Sequence, residues 1–443
     1  MTAARHIAVL GTLDTKAGEV ARLVAGLADA GWAARVYDVG VDEDPQPLAD
    51  VGAAAVAGAA GASLKTLRSD GDRAAAMDAM GRGAARLLDD ELRAGRLAAV
   101  VAVGGNQGTA VAATAMRALP IGLPKAILST VESGDTRPFV GDADIAMFFS
   151  VGDLLGGPNP VIGPQLDRVA AAVAAMAAVG AGATQAEPAV GLTAFGNTHR
   201  AAVRIIDSLR AAGREVVPFH ASGACGSAME RLIDAGAIDA VVELTTHELL
   251  GELYPFDAYA PVRPGRLEAA GRGGLPQVVL PGGLEYFCFG PPESIPAELR
   301  DRATHHHNAF NTNVRTSGDE LRRVGALMAE RLNASAGPVA VLIPMRGWSE
   351  VGGPEGRLHD PVANQGLVDA LRAGLRPSIE VRELDADIND PVVADAAVEL
   401  LLRSHAGAGA EQREELLTHG HHGGATNAHD PRDDARRGAL RTG

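Results

Sequence analysis

Short apolar runs that end in a glycine-bearing polar turn and pass into an amphipathic, alanine-rich stretch recur along most of this chain. Successive parallel strands need a crossover between them, usually a helix, so this alternation points to α/β architecture with mostly parallel sheets flanked by helices. The first unit is Ile7 to Leu10, then Gly11-Thr12-Leu13-Asp14-Thr15-Lys16, with a helical pattern from near Lys16. A second runs from Ala98 to Val103 into Gly104-Gly105-Asn106-Gln107-Gly108-Thr109, followed by an alanine-rich stretch to Leu119. If both strands lie in one parallel sheet, the two turns open on one crevice at their carboxyl ends. Backbone N–H groups at a helix start suit a phosphate there. Gly11, Thr12, Asp14, Thr15 and Lys16, with Gly104, Gly105, Gly108 and Thr109, are therefore the candidate nucleotide-binding residues. Neither turn has the P-loop or dinucleotide spacing, and the plainer alternative is that the glycines only close short loops. A closing loop does not require Thr12, Asp14, Thr15 and Lys16 together.

A length of 443 residues exceeds one ordinary core and makes two domains the default. Aromatic residues are 3% of the chain, so alanine, valine and leucine carry the apolar load. With a formal charge of −15 and few aromatic platforms, nucleic acid is excluded as a partner, although a basic subsite around a small anion is not. The two cysteines, Cys225 and Cys288, form no Cys-x-x-Cys pair, which disfavours zinc ribbons and redox dithiols. No secretory signal is visible and no apolar run reaches bilayer length, the nearest being Val169 to Ala183. The expectation is a cytoplasmic protein with no membrane partner.

The pattern continues with a helix over Glu19–Ala30, a strand over Ala33–Val39, a helix over Gly81–Ala94 and strands at Lys125–Thr130 and Ile145–Val151. The acidic end of the second strand, Asp38, suits either a ribose hydroxyl or a capping role. A small-residue linker near Ala181 to Glu187 separates a first domain, 1–184, from a second, 185–405. The second repeats the scheme with strands at Val190–Phe195, Glu215–Phe219, Ile238–Leu244, Gln277–Leu280 and Val339–Ile343 and helices between them. Both domains read as Rossmann-like. The segment 406–443, rich in glycine, histidine and charge, is expected to be a disordered tail.

Together, Gly11 to Lys16, Gly104-Gly105 with Gly108-Thr109, Phe219-His220-Ala221-Ser222-Gly223, Leu244-Thr245-Thr246, His307-Asn308 and Asp385-Ala386-Asp387-Ile388-Asn389-Asp390-Pro391 resemble the UPF0261, or Tm-1-like, family. The resemblance runs in order from about Ile7 to Arg403. It implies two Rossmann-like domains, a homodimer, and ATP, with or without Mg2+, bound in the first domain. It implies no established reaction.

The residues with chemical potential lie in the second domain. His220 ends a strand before Ala221-Ser222-Gly223-Ala224-Cys225-Gly226, which places an imidazole beside a helix N-terminus suited to an anion. Glu285 follows Pro281-Gly282-Gly283-Leu284, and His305-His306-His307-Asn308 with Arg315 beyond it is positioned to reach the same strand ends. His220, Glu285, His307 and Arg315 are the candidate catalytic set for a small carboxylate or phosphorylated metabolite, with a metal left open. Adjacent histidines on a helix diverge, so at most two of the three could share an ion. A satisfied loop imidazole is as good a reading of His220, and a small buried thiol the better reading of Cys225. Arg266 suits a carboxylate or phosphate, with a surface ion pair as the alternative. Three functions remain at this level: nucleotide binding in the first domain, an enzyme site in the second, or a nucleotide-gated interaction module.

Overall fold

The computed structural model describes residues 5–41, 46–180 and 188–404. The expected tail lies outside these residues, as does the linker between the domains.

The first domain runs β1 (His6–Gly11), α1 (Leu13–Asp29), β2 (Ala33–Asp38), α2 (Ala53–Ala59), α3 (Leu64–Ser69), α4 (Arg73–Arg93) and β3 (Leu97–Gly104). It continues with α5 (Asn106–Arg117), β4 (Lys125–Ser129), α6 (Arg137–Val140), β5 (Ile145–Phe149) and α7 (Ile162–Val179). The five strands form one parallel sheet in the order β2-β1-β3-β4-β5. β1 and β3 are buried along their whole length, the near-continuous apolar character that a sheet covered on both faces demands. One face packs α1 and α7 through Leu23, Leu27, Leu166 and Val173, and the other packs α4 and α5 through Met80, Leu88, Val111 and Met116.

The second domain begins with β6 (Ala189–Ala194), α8 (His199–Ala211), β7 (Val216–His220), α9 (Ala224–Asp234), β8 (Ile238–Thr245), α10 (Glu248–Leu253), α11 (Ala269–Arg272) and β9 (Gln277–Gly282). A small antiparallel sheet follows: β10 (Tyr286–Phe289), β11 (Thr304–Asn308) and β12 (Asn311–Arg315), ordered β10-β12-β11. The chain then returns through α12 (Gly318–Asn333), β13 (Val339–Pro344), α13 (Pro361–Gly374) and β14 (Glu380–Leu384) to a closing helix, α14, over 391–404. The large sheet is parallel, in the order β14-β13-β9-β8-β6-β7. Two mostly parallel sheets flanked by helices are thus the architecture expected from the sequence.

Several local expectations change. α1 starts at Leu13, because Asp38 accepts the Leu13 N–H at 3.2 Å and Thr12 O accepts that of Lys16 at 2.9 Å. Asp14 to Lys16 are therefore the helix's first turn. α4 starts eight residues before the expected Gly81, where Asp72 caps Ala75 N–H at 3.0 Å. The three adjacent histidines lie on strand β11, with a bulge between His306 and Asn308, in contrast to the helix expected there. α7 is long and apolar enough to cross a membrane by length and composition, contrary to the sequence expectation, but its inner residues pack in the first core.

Candidate functional site

In the first sheet the chain leaves β1 for β2 on one side and later enters β3 on the other. The strand order reverses between β1 and β3, where open α/β sheets hold their ligands. A cavity of about 440 Å³ lies there, a size suited to a cofactor. Thr12, Asp14, Thr15 and Lys16 of the α1 turn line it on one side, and Gly105, Asn106, Gln107 and Gly108 of the α5 turn on the other. Val39 and Gly40 beyond β2, and Arg73, Met77 and Met80 of α4, complete the wall.

Of the two helix N-termini at this cavity, that of α5 has no capping side chain, while that of α1 has Asp38 on its first N–H, that of Leu13. Thr12 and Gly105 occupy the N-cap positions, and neither side chain accepts a backbone N–H of its helix; Thr12 Oγ1 instead lies 3.2 Å from Thr15 Oγ1. The leading N–H groups of a helix carry partial positive charge and require acceptors. Lys16 departs from helical geometry, at φ −126° and ψ 15°, within the turn that faces the cavity. The glycines divide by role. A Cβ on Gly104 would lie 2.9 Å from Gly108 Cα, so close strand-to-helix packing requires this glycine. On Gly108 it would meet only Val103 O, at 3.8 Å, and on Gly105 only Thr130 Oγ1, at 3.7 Å. Packing within the protein therefore does not require glycine at those two positions. Gly11 and Thr109 lie behind the wall: Gly11 is buried against Val20, and Thr109 Oγ1 bonds Ser129 Oγ at 2.7 Å. Asp38 takes the capping role, accepting Gly40 N–H at 3.0 Å as well as that of Leu13.

The second domain uses its equivalent turns differently. The N–H groups of Gly223 and Gly226, at the start of α9, both donate to Glu248 Oε1, at 2.5 and 3.2 Å. The anion expected beside His220 is thus the protein's own carboxylate. Glu248 Oε2 accepts from Arg266 Nε at 2.5 Å, and the same guanidinium binds Glu243 and Glu230. Arg266 is fully buried, which overturns the surface-pair reading. The guanidinium geometry matches the three carboxylates that converge from α9, β8 and α10. Burial pushes the Glu243 carboxyl up.

Glu285 and Arg315 also face inward. Glu285 accepts from Trp348 N–H at 2.8 Å and Ser349 Oγ at 2.6 Å, and burial raises its pKa. Arg315 donates to Glu285 O at 2.6 Å, Asp360 O at 2.8 Å and Asn364 Oδ1 at 2.5 Å. Instead of projecting into the crevice as expected, both tie the small sheet to the 347–360 loop, because partners converge from three segments. Asp360 caps α13 through Ala363 N–H at 2.9 Å. Cys225 is half-buried and packs against the apolar cluster under α9.

His220 is exposed at its edge, with its ring centroid 5.1 Å from that of Phe195 and 6.3 Å from that of Tyr259. Partial burial holds its imidazole below the usual value. The rings of His305 and His307 have centroids 6.3 Å apart across a bulge in β11, while His306 Nδ1 lies 3.4 Å from Thr312 Oγ1. His247, which the sequence reading missed, is buried: its Nδ1 meets Gly283 O at 2.7 Å and its Nε2 meets Asp257 Oδ1 at 3.1 Å. Both partners accept, so both ring nitrogens must donate. Burial opposes the charge, but Asp257 and Cys288 hold the imidazolium, and its pKa stands well above the usual value. The signal in the sequence was the polar run Thr245-Thr246-His247-Glu248 at the end of an apolar strand. Among the described residues no three histidine, cysteine or acidic side chains converge as a metal site.

Residues 5–181 match the profile described as the N-terminal domain of an uncharacterised protein family, UPF0261, and residues 187–405 match its C-terminal domain. A UPF0261 protein of Rhizobium meliloti is 37% identical over 399 residues, covering 89% of this chain and 98% of its own length. One of Clostridium tetani is 34% identical over 400 residues, covering 90% and 98%. The ToMV resistance protein Tm-1(GCR237) of Solanum lycopersicum is 34% identical over 315 residues, which are 69% of this chain and 41% of that protein.

Proposed function

We propose, from the premise that the chain belongs to the UPF0261 family, that its first domain binds ATP in the β1/β3 crevice. The carrying observation is the contrast between the domains. The α9 N-terminus holds the carboxylate of Glu248, whereas the first turns of α1 and α5 both line a cavity, and α5 there has no capping side chain. Two helix starts aimed at one space, with Lys16 and Arg73 on its wall, suit a polyphosphate. Val39, Met77 and Met80 supply an apolar surface for a base. Asp14 is the acidic side chain on that wall, and it would face Mg2+ carried by the phosphates. The resistance role in the name of the tomato relative belongs to that protein and is not extended to this one.

Calorimetry with ATP, with and without Mg2+, tests the proposal on the wild type, Lys16→Ala and Arg73→Ala. Each substitution is expected to weaken binding about tenfold or more, since each removes a charge-assisted contact to phosphate. Absence of ATP or ADP affinity at millimolar concentration would overturn it. A homodimer, which the family resemblance implies, is expected in light scattering of the same samples.

A further inference from the structure

The second sheet has a strand-order reversal of its own, at β6, which lies between β7 and β8. Register places the small antiparallel sheet against this crevice. Cys288 pairs with Asn313, and Asn313 pairs with His305, so these side chains share a face of the small sheet with Asn311, which pairs with Asn308 beyond a bulge at His307. That face meets the strand ends, where Asn311 Nδ2 donates to Tyr259 Oη at 3.1 Å and Asn197 Nδ2 to Tyr286 Oη at 3.1 Å. The opposite face, with Phe287, Phe289 and Val314, lies in the apolar core. Asn197, His220, Tyr259, Tyr286 and Asn311, from five separate segments, thus gather about the ring of Phe195.

The available groups define the chemistry. Tyr259 Oη accepts from Asn311, which leaves its own proton to donate outward. Asn197 uses Nδ2 on Tyr286, which leaves its Oδ1 to accept. His220 provides a ring nitrogen beside the Phe195 face. Of the buried cations nearby, Arg266 is saturated by three carboxylates, Arg315 commits both terminal nitrogens to protein acceptors, and the His247 imidazolium is held by Gly283 O and Asp257. At the rim, besides burial, the groups acting on His305 are His307, Arg357 and His306, which lower its pKa, and Glu350, which raises it. Among the described residues the buried cations are committed to protein acceptors and the rim charges are of both signs, which does not favour a phosphate or carboxylate. Hydroxyl groups would find donors, acceptors and an aromatic wall.

We infer that this crevice is a second ligand site, for a neutral polyhydroxylated small molecule of the sugar or cyclitol class, recognised by His220, Tyr259 and Asn197. This revises the carboxylate or phosphorylated metabolite expected from the sequence, and it does not depend on nucleotide binding in the first domain. The test is saturation-transfer NMR on the full chain with D-glucose, D-ribose and myo-inositol beside glucose 6-phosphate and ribose 5-phosphate. A neutral member is expected to receive saturation. His220→Ala is expected to abolish that transfer and Tyr259→Phe to weaken binding about tenfold, with thermal midpoints held and with Lys16→Ala unchanged. Transfer to the phosphorylated members alone, no transfer to any neutral member, or neutral binding that survives His220→Ala would overturn the inference.

Discussion

At the scale of single residues, the glycines of the second turn separate architecture from ligand binding. Gly104 is required by the backbone of the following helix, and a methyl there would press on Gly108 and Thr109. Gly104→Ala should therefore cost about 1–3 kcal/mol. Gly108 sits in the first turn of α5 with room for a methyl, so Gly108→Ala should stabilise the fold by up to about 1 kcal/mol. Because Gly108 lines the cavity, the same methyl should weaken ATP binding. Chemical denaturation beside nucleotide titration checks the pair, and equal effects of the two substitutions on stability would contradict this division. The sequence made the cavity residues Thr12 to Lys16, Gly105 and Gly108 legible, because glycine and polar residues after an apolar strand have few other uses. Arg73 and Met77 were not legible. They reach the cavity only because α4 folds back over it, a long-range packing result that leaves no local signature.

At the scale of elements, the βα alternation was readable because both sheets are buried on two faces and their strands are continuous apolar runs. The small sheet was not, since Thr304 to Asn308 and Asn311 to Arg315 carry histidine, asparagine and arginine where a strand pattern would show alternating aliphatics. Its attachment depends instead on the His247–Asp257 pair. Asp257 also accepts the N–H groups of Cys288, on β10, at 2.8 Å and Tyr259 at 2.7 Å, so one buried ion pair joins the end of β8 to the small sheet. The folded pKa of His247 lies above its unfolded value of about 6.5. Its contribution is therefore complete below pH 6.5 and is lost as pH rises through the folded pKa. Urea midpoints of the wild type should fall over that window relative to those of His247→Gln. Parallel pH profiles for the two proteins would show that the ring is not held as an imidazolium.

At the scale of the whole molecule, two sheets of the same type use their strand ends in different ways. The second domain fills its turns with Glu248 and Glu285, which leaves the aromatic and amide surface beside His220 open. The first domain turns two helix starts toward one cavity and leaves that of α5 without a capping side chain. The domains meet at Asp142, which Arg231 and Arg263 of the second domain both engage, and Arg231 also donates to Leu119 O at 2.7 Å. No local sequence pattern could distinguish a filled turn from an open one, because Glu248 lies more than twenty residues from the glycines it caps. Hydrogen exchange with and without saturating ATP tests this contrast directly. The account predicts slowed exchange at residues 13–17 and 106–109 and none at 223–226. No protection in the first domain, or protection at 223–226 instead, would contradict it.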